Sequence, residues 1–400
     1  MSARLSNRSR KRRAGFTLLE LMVALAIGAL VVATMYTLSG ASARAFQTQQ
    51  RISQLQLQTR LAMERIRRDV VSTGFGGSPD SRYERTCGTA GIADTTRLLG
   101  VDLQDNSLAS ALGGIAGASR AAVQADRLRL MGNFATSDNY LIANSGSAAG
   151  SSILLQSNWQ GFRRTFAANP LGTQVDPVMF QSVFAPGRIL HITHPRGFHF
   201  FTQITGSSVD AAGTTPSITI SPPLPALGQC NFALCVGCRV SPQMMIEYGI
   251  ADAAAIAPGL VPNNLAVTGP NTVLYRRELN PQTGNVDPNL PAARAILEFA
   301  IHFDVQAIYD QAARGGIVNL SAPVATFPVD STSRLRALQV DIAARTPDTD
   351  PSFPFPYAGT RAAADPLNSI LVFGDGRPGS ARVRRAMAEF VLDNFVDRGL

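Results

Sequence analysis

Hydrophobic and polar positions alternate in two distinct ways along this chain, with the change at Gly40. From Leu21 to Leu38 no side chain is charged, a run of 18 positions. At about 1.5 Å per residue that run crosses most of a bilayer core about 30 Å thick. Apolar residues then recur at helical spacing, at Phe46, Ile52, Leu55, Ala62, Ile66 and Val70, while Arg51, Arg60, Arg65, Arg67 and Arg68 fall on other faces. No proline interrupts Phe16 to Thr73. The pattern predicts one unbroken helix over these 58 residues, about 87 Å long. Its first half is apolar all round and its second half amphipathic, suited to lying against a globular domain. Gly28 and Gly40 are candidate bends, and the breakers Gly74-Phe75-Gly76-Gly77-Ser78-Pro79 end the helix.

From residue 78 to 400 the apolar runs are short, and glycine, proline, serine, threonine and asparagine are spread throughout. This predicts β-structure joined by loops. Expected strands are Arg127 to Met131, Ser152 to Gln156, Arg188 to Thr193, His199 to Ile204, Ser217 to Ile220, Gln243 to Tyr248, Thr272 to Glu278, parts of Ala295 to Tyr309, Leu335 to Ala344, and Ile370 to Phe373. The Leu335 to Arg345 segment alternates as a half-buried strand does. Thr136 to Ser152 and Gly259 to Asn271 read as loops, and there is no internal repeat. The fold class expected is α+β: a long N-terminal helix packed on a large antiparallel β-rich C-terminal domain.

Charge adds a topology. The formal net charge is +8, yet the first 70 residues hold 12 Lys or Arg against Glu20, Glu64 and Asp69, leaving about −1 for the remainder. Arg4, Arg8, Arg10, Lys11, Arg12 and Arg13 precede the apolar span with no acid among the first 15 residues. The positive-inside rule keeps that leader in the cytoplasm and exports the nearly neutral C-terminal region. The basicity is therefore an orientation signal and gives no reason to expect nucleic-acid binding. Lys11 is the only lysine, so a chain cut beyond it has none, which excludes a P-loop and a Schiff-base lysine. A secretory signal cut after Ala41-Ser42-Ala43 is the competing reading, although its apolar region is ordinarily shorter and lacks a carboxylate.

Cys87, Cys230, Cys235 and Cys238 all fall in the region expected to be exported, where disulfides form. Three connectivities are open. We favour one long bridge from Cys87 to the cluster, worth about 4 to 5 kcal/mol in the chain-entropy model, and one local bridge. Cys235-Val236-Gly237-Cys238 also has redox or half-zinc spacing, but no second C-x-x-C or βαβ pattern accompanies it. His191, His194 and His199 lie close in sequence; on a strand His191 and His194 face opposite ways, and ordinary surface or half-buried histidines are expected. Asp348-Thr349-Asp350-Pro351 reads as a solvated turn, without the EF-hand pattern of a calcium loop. No G-x-S-x-G, H-E-x-x-H or nucleotide loop is present. We expect no catalytic residue, metal or cofactor.

The segment Arg13-Ala14-Gly15-Phe16-Thr17-Leu18-Leu19-Glu20-Leu21 strongly resembles the start of a type IV prepilin. The resemblance implies cleavage by a prepilin peptidase between Gly15 and Phe16 and N-methylation of Phe16. It divides the chain into a leader (1–15), a transmembrane and filament-core helix (16–40), an amphipathic continuation (41–75) and a head domain (78–400). Glu20 needs a partner, since an ionisable group within an apolar span costs about 2.5 to 3.5 kcal/mol at its centre and less near an end. The new α-amino group of Phe16, in the same chain or a neighbour, would supply one and set axial register. Met63 to Val70, Ile296 to Val305, Leu335 to Arg345 and Arg382 to Asn394 resemble the PilW family of minor pilins. The implied partners are other minor pilins and the major pilin through the helix, the inner-membrane assembly platform, and a tip adhesin. The implied location is the inner membrane, single-pass with the head in the periplasm, and then the pilus. A J-type pseudopilin of a type II secretion system shares this layout, and a bitopic membrane-anchored enzyme is a third reading.

Overall fold

The computed structural model describes residues 17–78, 84–87, 98–104, 124–145, 150–225, 232, 235–256, 272–311, 321, 324, 334–347 and 381–396. The chain forms two compact units, one ending at Gln54 and one beginning at Leu55. Helix α1, Leu18–Ser72, contributes to both. In the first unit every large apolar side chain from Leu18 to Leu38 is exposed.

In the second unit α1 buries Leu55, Thr59, Ala62, Ile66, Asp69 and Val70. These steps of three and four residues define one face. That face shares a core with Leu128, Leu130, Ile246 and Tyr248 of one sheet and with Phe303, Val305, Val340 and Ile342 of another.

The strands are β1 (Val101–Gln104), β2 (Gln124–Ala125), β3 (Arg127–Gly132), β4 (Tyr140–Ser145), β5 (Ser152–Leu155), β6 (Ile189–Thr193), β7 (His199–Val209), β8 (Pro216–Ser221), β9 (Arg239–Asp252), β10 (Thr272–Leu279), β11 (Arg294–Glu298), β12 (Ala300–Tyr309), β13 (Leu335–Arg345) and β14 (Val383–Val391). Short helices are α2 (Gln160–Phe166), α3 (Pro177–Val183), α4 (Ala253–Ile256) and α5 (Asp393–Val396). β14-β13-β12-β2 form the smaller sheet, in which β12 pairs with β2 in parallel and β13 pairs antiparallel with β12 and β14.

The larger sheet turns on β9. Its Met244–Asp252 part pairs with β3 and β10, which carry β1 and β11 outward. Its Arg239–Gln243 part pairs with β4 and β6, and the run β4-β5-β8-β7-β6 then closes on itself. This closed antiparallel ring has no free edge. Its core holds Tyr140, Ile142, Ile153, Ile192, Phe200, Ile204, Ile218 and Val240. Phe162 and Phe166 of α2, and Phe180 and Phe184 at α3, join it with ring centroids 4.7 to 6.2 Å apart. Asp176 caps α3 by accepting from the N–H groups of Val178 and Met179, with Pro177 opening the helix.

Several expectations are corrected. Thr136 to Ser152 is not a continuous loop, because Tyr140 and Ile142 point into the ring and make β4. β9 far exceeds Gln243 to Tyr248; it is buried on both faces, so it lacks the alternation that marks a half-exposed strand. β13 is buried along nearly its whole length, not half-buried. Ile370 to Phe373, Gly259 to Asn271 and Asp348 to Pro351 lie outside the described residues.

Buried charge joins α1 to the larger sheet. The Asp69 carboxylate accepts from Tyr248 Oη at 2.5 Å and from Arg276 Nε at 2.6 Å. On the smaller sheet Asp341 accepts from Arg385 Nε at 2.7 Å, and His302 Nε2 lies 3.6 Å away. Burial opposes the ionisation of Asp341, but His302 and Arg385 outweigh it and hold the carboxyl at about 2.

Asp69→Ala leaves the Arg276 guanidinium without its carboxylate, and we expect a loss of about 3 to 5 kcal/mol in chemical denaturation of the full chain in detergent. A loss below about 1 kcal/mol would show that the pair does not hold the helix. Because the folded pKa of Asp341 is depressed, its contribution is full above the unfolded value near 3.9 and disappears as pH falls through about 2. Asp341→Asn should therefore flatten the decline in melting temperature between about pH 4 and pH 2; an unchanged slope contradicts the assignment.

Candidate functional site

Thr17 and Glu20 start α1. The Thr17 N–H donates to Glu20 Oε2 at 2.9 Å, the Thr17 hydroxyl donates to the same oxygen at 3.1 Å, and the Glu20 N–H donates to Thr17 Oγ1 at 3.2 Å. This is a capping box, in which the first turn's otherwise unpaired donors are satisfied reciprocally. Beyond the terminal amine expected from the sequence, Glu20 thus has a partner within its own first turn, Thr17. The Thr-x-x-Glu spacing ahead of an apolar run was the available signal. Gly15 and Phe16 lie outside the described residues.

The helix that follows offers chemistry of one kind. It is long and apolar enough to cross a membrane, and none of its apolar stretch is buried within the chain. Such a surface is stable against lipid or against other apolar helices. Residues 10–36 match the prokaryotic N-terminal methylation motif. The match spans Arg10 to Arg13, Gly15, Phe16, the capping box and most of the apolar span. No curated protein matches the chain. Among solved structures, a type IV-like pilin from Thermus thermophilus is similar at 12% identity, covering 55% of this chain and 93% of that one, with a TM-score of 0.18.

At its other end α1 is finished with equal care. Gly74 has φ +75°, and a Cβ there would lie 2.8 Å from the Phe395 ring. Its N–H donates to Met131 O at 2.9 Å. Asn394 Nδ2 donates to Val71 O and to Thr73 O, both at 3.0 Å, so a residue of α5 caps the carbonyl end.

Cys235 and Cys238 are bonded to each other, and Cys87 is also disulfide-bonded. Cys230 lies outside the described residues. His194 Nδ1 or Nε2 and the two sulfurs lie within 4.8 Å of one another, but the disulfide removes the thiolates that a metal would need. Expected as ordinary surface or half-buried groups, the other two histidines are instead brought together: His191 is buried, and its Nε2 lies 2.9 Å from His199 Nδ1.

Peptide mapping without reduction should return Cys235 linked to Cys238 and Cys87 linked to Cys230. Any Cys87 peptide joined to Cys235 or Cys238 contradicts this pairing.

Proposed function

We propose that this chain is a PilW-like minor pilin, a structural subunit without catalytic activity. A prepilin peptidase cuts it between Gly15 and Phe16, and Phe16 is then N-methylated. The mature helix packs with those of other minor pilins and the major pilin at the inner-membrane assembly platform. There the complex primes assembly of a type IV pilus and stays at or near its tip, where a tip adhesin is a further candidate partner. The observation that carries this reading is the methylation motif at residues 10–36 set directly on an apolar helix whose side chains the chain leaves uncovered. The disulfides suit an exported head.

Before cleavage Glu20 belongs to the capping box. After cleavage the new α-amino group of Phe16 lies four positions away in sequence, near enough to compete for the same carboxylate. Two substitutions separate these roles. Glu20→Ala removes both the box and the charge; Glu20→Gln keeps a capping side chain and removes only the charge. We expect both variants to be processed and both to reduce surface piliation at least about tenfold. Normal piliation in Glu20→Gln would reduce Glu20 to a helix-starting residue. Deletion of the gene should abolish surface pili while secretion continues; lost secretion with intact pili would instead assign the chain to a type II secretion system.

A further inference from the structure

Two polar links connect the segments after α1 to the β6–β7 hairpin, and a third joins them across it. His191 Nδ1 lies 2.6 Å from Gly76 O, His191 Nε2 lies 2.9 Å from His199 Nδ1, and His199 Nε2 lies 3.1 Å from Glu84 Oε2. A carbonyl only accepts, so His191 Nδ1 carries a proton. An ionised carboxylate only accepts, so His199 Nε2 carries one too. With both outer nitrogens protonated, two neutral imidazoles would set two lone pairs against each other across 2.9 Å. The central link needs a third proton.

We propose that the Glu84–His199–His191–Gly76 chain is a proton-dependent latch, which binds one proton more than two neutral histidines and in that state fastens the segments after α1 to the hairpin. With the third proton the chain carries no net charge, Glu84 offsetting one imidazolium. Without it the net charge is negative and the central link is repulsive.

The surroundings favour the protonated state. The His191 ring stacks on Phe201 with centroids 4.4 Å apart and planes 6° apart, an arrangement that favours a cation. His199 also grips the 84–87 segment through its backbone. Its carbonyl accepts from the Cys87 N–H at 3.0 Å, and its N–H donates to Arg85 O at 2.9 Å. At the other end Gly76, with φ +63°, is wedged where a Cβ would lie 2.2 Å from Ser241 Oγ. A cavity of about 160 Å³ lined by Asn139, His191, His199, Arg239 and Ser241 gives protons access. Among the described residues, the charged groups around the pair are Glu84 and, across the cavity on β9, Arg239, which opposes protonation. Arg85 is placed over Phe198, and His194 Nδ1 is engaged by the Arg196 N–H.

The sign follows from the proton count. The folded pair holds a proton that the unfolded histidines release near pH ~6.5. The latch therefore contributes fully below about 6.5 and is lost as pH rises through the pair's own midpoint. The chain has four histidines, so full-length protein labelled with [15N]histidine in detergent gives a tractable titration. We expect His191 and His199 to titrate as one coupled unit, keeping the third proton above pH ~6.5. Amide protection at Cys87 and His199, corrected for intrinsic exchange, should fall about tenfold or more once that proton is lost. Glu84→Gln, at a partly exposed position, should lower the midpoint by about one pH unit or more while leaving the ring of strands folded. Independent titration of the two rings near ~6.5 overturns the proposal. So does protection that ignores the titration, or a purified protein that holds a metal ion at the pair whose chelation changes the ring signals.

Discussion

The buried Asp69 carboxylate is the contact on which the arrangement of the second unit depends. It takes hydrogen bonds from β9 through Tyr248 and from β10 through Arg276, and so fixes the second half of α1 against the larger sheet at a defined rotation. Hydrophobic burial of Ile66 and Val70 is stronger in total but non-directional, so it does not by itself choose among neighbouring rotations. With Asp69 placed, the last turn of α1 meets Met131 and Asn394, and the glycines after it thread between Ser241 and His191.

The chain makes such contacts almost entirely with arginine. Its one lysine is Lys11, so every other basic side chain except histidine is a guanidinium. The structure shows the use of that composition. Glu247, fully buried on β9, accepts from Arg129 Nε at 2.8 Å, Arg277 Nε at 2.8 Å and Tyr275 Oη at 2.8 Å. Burial works against its charge, yet these donors hold its pKa below the ordinary value. Glu278 is paired through both oxygens with Arg188, whose remaining donors reach Ser182 O and Val183 O. A planar fork of donors satisfies buried carboxylates and carbonyls together, which an ammonium group does less well.

How much of this was legible depended on how local each signal is. The apolar run from Leu21, the 3–4 spacing from Leu55 to Val70 and the breakers at Gly74 to Pro79 are all local, and they located α1 closely. Arg127 to Met131 showed its strand through simple alternation. β14 did not: at a sheet edge it packs Ala386, Ala388 and Phe390 on the core, but two of these three are small alanines and its exposed face carries Met387 and Val391, so the apolar alternation is blurred. α2 and α3 are too short for periodicity, although Phe162 with Phe166 and Phe180 with Phe184 carried a four-residue spacing. Partners such as Arg188 and Glu278, 90 residues apart, are invisible until the fold brings them together. At the N-terminus the motif is legible, and the Thr17–Glu20 box lies inside it at local Thr-x-x-Glu spacing.

The functional account rests on what happens at Gly15. If the leader is removed there, the exposed apolar helix stays on the protein and becomes its means of assembly; removal beyond residue 43 would release a head without it. Intact-mass and N-terminal peptide analysis of the protein from its own membrane is the most direct test. The account predicts a chain that begins with N-methylated Phe16. An intact leader, or a first residue after Ala43, would contradict it.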